Sequence, residues 1–193
     1  MLDMQENFQY DHQKFKDVVH YVVDFVGRTY GSEFLGNTKL HKVLYFVDIL
    51  HYLSHFRPLT GAEYQRQKFG PAARHLSSAL SQLTLEDRIE TKSVNYFGYS
   101  KKEYHARKTP ILNRLSDEER KIIEHVTAFV CQKAATEISE FNHDDVWASV
   151  PMGQRIPYFA ALAMFPAVYS EKDIEAAQAE VPELVEAIES GKS

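Results

Sequence analysis

One segment limits the fold more than any other: the stretch TKLHKVLYFVDILHYLSHF, which begins at Thr38. Its apolar residues recur at helical spacing, and they cover most of the circumference of a helix rather than one stripe. A helix of this kind is stable in water when neighbours pack on several of its sides. No apolar run in the chain approaches the ~20 residues that a membrane-spanning helix needs. The sequence therefore predicts a central helix of a globular domain, ending at Arg57-Pro58 because the residue before a proline leaves helical geometry.

Two further helices are predicted from their caps. Asp11 precedes a stripe of valines at helical spacing, so it is expected to cap a helix that runs through about Tyr30. Ser116 is followed three residues later by Glu119, which is the pattern of a capping box. A short buried helix is also expected in the apolar stretch that follows Pro157.

Between these helices the pattern changes to that of short extended segments. Residues 63–69 are predicted to be extended, and Gly70-Pro71 is predicted to be a turn that places Pro71 at the start of a helix. Residues 88–108 are rich in aromatic and β-forming residues around Gly98, which favours a β-hairpin. The expected fold class is mainly α (α+β), with an all-α fold as its extreme form. We expect a compact helical domain with a small β element or hairpin, winged-helix-like in part.

Charge divides the 193-residue chain into two regions. Residues 1–113 carry 15 basic and 12 acidic residues, whereas residues 114–193 carry 7 basic and 15 acidic residues. We expect one domain over residues 1–169 and an acidic helical tail over residues 170–193, which either packs on the domain or binds a partner. The net charge of −5 argues against a general nucleic-acid coat but leaves room for a local basic patch.

The motifs of common enzyme classes are missing from the sequence. It contains neither a GxSxG nucleophile motif nor a glycine-rich phosphate loop, and its one cysteine, Cys131, lies in an apolar-patterned helix that favours an inert buried thiol. Asp48, His51 and His55 can share one side of the central helix, which leaves a metal-dependent hydrolase open as the third hypothesis. Tyr52 stands where the HExxH pattern requires glutamate, and a histidine pair on a solvated helix edge is the commoner outcome. We therefore expect no enzyme activity, no cofactor and no metal site.

The hairpin is basic and aromatic, which raises a second hypothesis of DNA binding. A helix followed by a basic hairpin is the layout of winged-helix proteins, in which wing residues contact phosphates. The alternative is a solvated hairpin whose aromatic residues form cross-strand pairs. The candidate DNA contacts are Arg74, Lys101, Lys102, Arg107 and Lys108.

Several separated motifs resemble one known family in the same order along the chain. The stretch TKLHKVLYFVD resembles the lysine-, leucine- and tyrosine-rich helix of the Panacea domain, also called the SocA-like antitoxin domain. PLTGAEYQRQKFGP is similar to that family's segment ending in Gly-Pro, and LSDEER and FNHDDVW are similar to its later features. The resemblance spans about residues 12–165. The sequence departs from the family at Gln67-Lys68-Phe69, where a tryptophan is common, and at Ala72-Ala73, where valine is usual.

The resemblance implies a phage- or prophage-associated antitoxin that neutralises a cognate toxin, encoded nearby, by direct protein binding. The matching positions are Lys39, Leu40, Lys42, Leu44, Tyr45, Phe46, Gly70, Pro71, His143 and Trp147. Since aromatic anchors are typical of tight interfaces, the hairpin tyrosines are added to this group. The candidate partner-binding residues are Lys39, Lys42, Tyr45, Tyr96, Tyr99, His143 and Trp147. We further expect a cytoplasmic protein without a secretory signal or a membrane partner; operator DNA and a homodimer stay open.

Overall fold

The computed structural model describes residues 8–96, 98–133 and 150–164. Within them lie four α-helices, two antiparallel two-stranded sheets and two short 3₁₀ helices. In chain order these are α1 (His12–Thr29), η1 (Ser32–Phe34), α2 (Asn37–His55), β1 (Tyr64–Gln67), β2 (Gly70–Ala73), α3 (Leu76–Leu85), β3 (Ile89–Tyr96), β4 (Tyr99–Ala106), α4 (Asp117–Gln132) and η2 (Tyr158–Met164). The expectation of an all-α fold is wrong, because the β-forming segments pair into two sheets.

Helix α2 is central, as its apolar circumference predicts. It packs against α4, β2, η2, β4 and α1. The helix ends at His55, where Phe56 adopts the left-handed conformation (φ 54°) and its N–H donates to the Tyr52 carbonyl at 2.7 Å. The predicted end near Arg57-Pro58 is therefore confirmed to within two residues.

The two predicted helix caps are confirmed. The Lys14 N–H donates to Asp11 Oδ1 at 2.9 Å at the start of α1. At the start of α4, the Glu119 N–H donates to Ser116 Oγ at 3.2 Å and the Ser116 N–H donates to Glu119 Oε2 at 2.8 Å. Each cap uses residues within three positions of each other, which is why the sequence alone can show it.

The prediction at Gly70-Pro71 is wrong. These residues form the start of strand β2, which pairs antiparallel with β1 so that Gln67 faces Gly70 and Arg66 faces Pro71. Gly70 has φ +124°, a conformation that favours glycine, and α3 begins only at Leu76. Proline lacks an N–H and is tolerated at the edge of a sheet, so Pro71 does not exclude a strand.

Residues 153–156 lie along the other side of β1 and bring η2 onto the core. The Arg66 N–H donates to the Gln154 carbonyl at 2.9 Å, and the Ile156 N–H donates to the Tyr64 carbonyl at 2.8 Å. The predicted short helix after Pro157 is confirmed as the 3₁₀ helix η2. Its predicted burial is confirmed only in part, since Tyr158 is buried whereas Phe159 and Leu162 are exposed.

The predicted hairpin around Gly98 is also confirmed. Strands β3 and β4 pair in antiparallel register, from Ile89 opposite Ala106 at the base to Tyr96 opposite Tyr99 at the tip. Tyr104 on β4 is buried, and its hydroxyl donates to Asn37 Oδ1 at 3.0 Å, which ties the hairpin to the start of α2. Within the three described ranges, no helix combines the length and apolar character needed to cross a bilayer.

Candidate partner-binding site

The first turn of α2, the η1 turn, strand β4 and the end of α4 enclose a groove of about 950 Å³. We call it the α2–β4 groove. Its described lining residues are Glu33, Phe34, Gly36, Asn37, Thr38, Lys39, Ser100, Lys101, Lys102, Glu103, Cys131, Gln132 and Lys133. It brings together Lys39 from the partner-binding candidates and Lys101 and Lys102 from the DNA candidates.

Lys39 joins α2 to the end of α4. Its Nζ donates to the Cys131 carbonyl at 3.1 Å, across 92 residues of sequence. Burial lowers the pKa of Lys39, and the neighbouring Lys101 charge adds to this shift, whereas a negative charge on Cys131 would oppose it. Burial also raises the pKa of the Cys131 thiol, which favours the protonated form and fits the expectation of an inert thiol.

Lys101 and Lys102 lie next to each other on β4 but differ in their contacts. The Lys101 ammonium donates to the Glu33 carbonyl and lies 3.2 Å from Glu103 Oε1. Lys102 is exposed and faces Ser93 in the hairpin register. Lys101 thus holds η1 against the hairpin, whereas the Lys102 side chain is accessible to solvent at the groove.

Two of the partner-binding candidates are buried in the core. Lys42 is 1% exposed, and burial lowers its pKa to about 8. Tyr45 is 5% exposed, and its ring meets the Tyr64 ring edge-on at a centroid distance of 5.2 Å. In this conformation neither side chain lies on the surface, and a role of either residue in partner binding stays a prediction.

The remaining partner-binding candidates divide into two groups. The backbones of Tyr96 and Tyr99 pair at the tip of the hairpin, far along the strands from its base at Ile89 and Ala106. His143 and Trp147 lie outside the described residues, so their placement stays a prediction.

The other basic candidates form ion pairs away from the groove. Arg74 follows β2 and contacts Glu63 at 2.7 Å. Arg107 contacts Glu90 at 3.5 Å, and Lys108 contacts Asp87 at 3.5 Å.

The suggested metal-ligand trio on α2 is not assembled. Asp48 accepts hydrogen bonds from the Thr60 N–H and hydroxyl, each at 2.6 Å. His51 instead donates from Nδ1 to the Arg57 carbonyl at 2.7 Å and stacks on His55 at a centroid distance of 4.3 Å. Among the residues that the structure describes, no group of three or more His, Cys, Asp or Glu side chains could hold a metal ion.

Sequence reasoning missed several residues that define this site. Glu33 and Phe34 line the α2–β4 groove from η1, and Lys133 lines it from the position that follows α4. None of them carries a local pattern that points to the others, since Glu33 and Lys133 are separated by most of the described chain. That η1 and the end of α4 line the same groove follows only from the packing of α4 on α2.

The family resemblance drawn from the motifs is confirmed by comparison with protein families. The model for the SocA-like antitoxin, Panacea domain, matches residues 40–148, which is more than half of the chain. Searches against curated proteins and against solved structures found no significant match. The matched range contains strand β4, the end of α4 and all of α2 beyond Lys39. It includes the lining residues that β4 and the end of α4 give to the groove, whereas those of η1 and the first turn of α2 lie before it. The chain therefore belongs to the family of SocA-like antitoxins with a Panacea domain.

Proposed function

We propose that this protein is an antitoxin that neutralises a cognate toxin, encoded nearby, by direct protein–protein binding. The observation that carries the proposal is the match of the antitoxin family over residues 40–148. The α2–β4 groove supplies an open surface with several lysines on one side of the domain. Tight interfaces need few anchors, so a groove of this size is sufficient. The proposal places the protein in the cytoplasm beside its toxin, in an operon of phage or prophage origin, and assigns it no catalytic step.

Coexpression tests this function. The product of the neighbouring gene is induced in cells with and without this protein, and growth is followed. We expect growth to stop with the neighbour alone and to recover with both proteins, which should also copurify. A neighbour that is harmless, or that stays toxic in the presence of this protein, contradicts the proposal.

The acidic residues 170–193 are proposed to assist by steering a basic surface of the toxin. Long-range attraction between opposite charges raises association rates more than it raises affinity. A chain ending at residue 169 is then expected to protect less well at limiting expression and to bind the toxin with an association rate that is slower and less sensitive to salt than that of the full chain. Equal protection and an unchanged association rate would remove this segment from the mechanism.

A second candidate function is DNA binding, as operator autoregulation by the same protein. The order of helix α3 followed directly by the β3–β4 hairpin supports it, as does the exposed Lys102 on β4. The ion pairs of Arg107 and Lys108 with acidic residues reduce the positive charge available at the hairpin base. Filter binding to the upstream DNA across a salt series tests this candidate, since retention through phosphate contacts must fall as salt rises. Retention that is absent at low salt contradicts it.

A further inference from the structure

Basic charge exceeds acidic charge in the α2–β4 groove. Four lysines line it, against the two carboxylates of Glu33 and Glu103. One of the lysines, Lys101, lies 3.2 Å from Glu103, so these two charges largely offset each other. The described lining residues therefore present a net positive surface inside a chain whose net charge is −5.

The ammonium group of Lys39 is the most informative member of this surface. It is partly buried, and its hydrogen-bond acceptor is the uncharged carbonyl of Cys131 at 3.1 Å. The cost of burial lowers its pKa. A carboxylate that enters the groove would supply a countercharge and charge-assisted hydrogen bonds, both of which favour the charged form of Lys39. The first turn of α2 adds positive potential in the same place, since its cap residue, Gly36, brings no side chain to the free amides.

The dimensions of the groove favour a chain segment over a small ion. Its volume of about 950 Å³ lies at the upper end of the range of about 300–1,000 Å³ that is typical of ligand cavities. Phe34 is 44% exposed at the η1 side and offers an apolar contact beside the lysines. An occupant with carboxylates and small apolar side chains matches this combination.

We propose that the α2–β4 groove binds an acidic peptide segment of the toxin, with its carboxylates on Lys39, Lys102 and Lys133. This inference rests on the proposed antitoxin function and names the part of the partner that is recognised. Phosphodiester chains fit the groove less well, because their regularly spaced phosphates would have to pass the Glu33 carboxylate and the apolar ring of Phe34. An acidic protein segment can place its apolar residues at those positions instead.

Fluorescence anisotropy with the full-length protein tests the groove without the toxin. The probe is a fluorescein-labelled peptide of about twelve alternating glutamate and alanine residues, and its glutamine–alanine analogue is the uncharged reference. We expect the acidic peptide to bind and the analogue not to bind, with affinity that falls as salt rises. The double variant Lys102→Gln/Lys133→Gln should weaken binding about ten-fold, since it removes two charge-assisted contacts.

The matched control removes two lysines that lie outside the groove. Lys68 and Lys121 are both exposed, so Lys68→Gln/Lys121→Gln changes the net charge equally and should leave the affinity within about two-fold. Thermal unfolding of both double variants checks the fold. If the groove variant does not fold, Lys102→Gln alone replaces it, because the Lys102 side chain is exposed.

Four results overturn the proposal. The first is that the acidic peptide binds the full chain no better than its glutamine analogue does. This result would also be obtained if the chain's own acidic residues 171–189 occupied the groove. The second is that the two double variants bind equally. The third is that a duplex DNA binds more tightly than the peptide through the same two lysines. The fourth is that the wild-type protein alone forms a dimer and the Lys102→Gln/Lys133→Gln variant does not, because a second copy of the chain would then occupy the groove.

Coexpression separates this inference from the function on which it rests. If the wild-type protein rescues growth and the Lys102→Gln/Lys133→Gln variant rescues it equally at limiting expression, the groove is not the toxin contact although the antitoxin function stands. If the wild-type protein does not rescue growth while the peptide binds, the antitoxin function fails and the groove remains a site for acidic segments.

Discussion

At the scale of single residues, Asp48 lies in the core, 1% exposed, and connects α2 to the loop that follows it. Its Oδ2 atom lies 2.6 Å from the Tyr64 hydroxyl, which also lies 2.8 Å from the Leu44 carbonyl. A hydroxyl has one proton and can donate it to one acceptor at a time. Burial raises the pKa of Asp48, against hydrogen bonds from Thr60 and Tyr64 that lower it. The two distances allow two arrangements: Tyr64 donates to an ionised Asp48, or a protonated Asp48 donates to Tyr64 while Tyr64 donates to the Leu44 carbonyl.

Substitution of Asp48 distinguishes a neutral from a charged side chain. Asp48→Asn keeps an acceptor for Thr60 and a donor for Tyr64, so we expect it to reduce the free energy of unfolding by about 1 kcal/mol. Asp48→Ala leaves buried partners unsatisfied and should cost about 3–5 kcal/mol. Urea-induced unfolding measures both values. If Asp48→Asn lowers the free energy of unfolding as much as Asp48→Ala does, the site requires a carboxylate and Asp48 is not protonated.

His41 on α2 makes the stability of the protein dependent on pH. The Ala73 N–H donates to His41 Nδ1 at 3.0 Å, so this nitrogen is unprotonated, and burial lowers the pKa of the side chain to about 4. The unfolded chain, with an ordinary histidine pKa of about 6.5, takes up a proton at higher pH than the folded chain does. The stability that His41 contributes is therefore present above about pH 6.5 and is lost as the pH falls toward 4.

The variant His41→Asn tests this sign, because its side-chain oxygen can accept the Ala73 N–H without titrating. Between about pH 7 and about pH 5 we expect the wild-type protein to lose about 2 kcal/mol more unfolding free energy than the variant does. Urea unfolding at the two pH values gives the comparison. Parallel pH profiles for the two proteins would show that His41 titrates normally.

At the scale of elements, two glycines in the left-handed region differ in the space around them. Gly61 (φ +68°) follows α2, and a Cβ atom there would lie 2.5 Å from the Gln9 carbonyl oxygen. Gly98 (φ +84°) lies at the hairpin tip, where a Cβ atom would meet nothing within 4 Å. Gly61 thus allows close packing of the segment before α1, which is held by the Asp11 N–H donating to the Thr60 carbonyl at 2.9 Å.

Alanine at each position separates backbone strain from steric overlap. Gly98→Ala should cost about 1–2 kcal/mol, which is the strain of a left-handed alanine. Gly61→Ala adds the overlap with Gln9, and we expect it to cost about 1–3 kcal/mol more. Thermal or urea unfolding of the two variants measures the difference. Equal losses would show that the segment around Gln9 shifts freely and does not contribute to packing.

The elements also differ in how well they could be predicted. Helix α4 follows from Ser116 and Glu119, and the β3–β4 hairpin follows from β-forming residues on both sides of Gly98; both signals lie within a few residues. Strand β2 could not be read in the same way, because Gly70-Pro71 is equally compatible with a helix start. Its extended form depends on pairing with β1 and on the contact of Ala73 with His41, 32 residues away.

At the scale of the whole molecule, a buried ion cluster joins α1 to the hairpin and to the loop before α4. Asp17 contacts Arg88 at 3.1 Å and Arg114 at 2.9 Å. The Arg88 Nε–H donates to His20 Nδ1 at 3.1 Å, and His20 Nε2 donates to the Lys108 carbonyl at 2.9 Å. Burial, followed by the Arg88 charge, lowers the pKa of His20, which agrees with a neutral ring between these partners.

Removing the carboxylate of this cluster should be far more costly than removing Asp24, a partly buried carboxylate on the same helix whose partner, Arg28, is exposed. Asp17→Ala removes the nearer carboxylate from the buried Arg88 charge and leaves it only the Glu86 carboxylate at 3.6 Å, for an expected loss of about 3 kcal/mol. Asp24→Ala removes an ion pair with the exposed Arg28 on α1, for an expected loss of about 0.5 kcal/mol or less. Urea unfolding measures both. Similar small losses for the two variants would show that solvent or another acidic group compensates for Asp17.

The sequence by itself determined the central position of α2, the caps of α1 and α4, the hairpin and the family, because each depends on apolar periodicity or on residues a few positions apart. Only the tertiary structure decided which charges meet. Lys39 reaches the Cys131 carbonyl across 92 residues, and Tyr158 lies 3.5 Å from Asp48 across 110 residues. Such contacts arise where packed helices and strands bring distant segments together, and no local pattern records the partner. The α2–β4 groove belongs to this second class, since its lysines come from two helices and one strand.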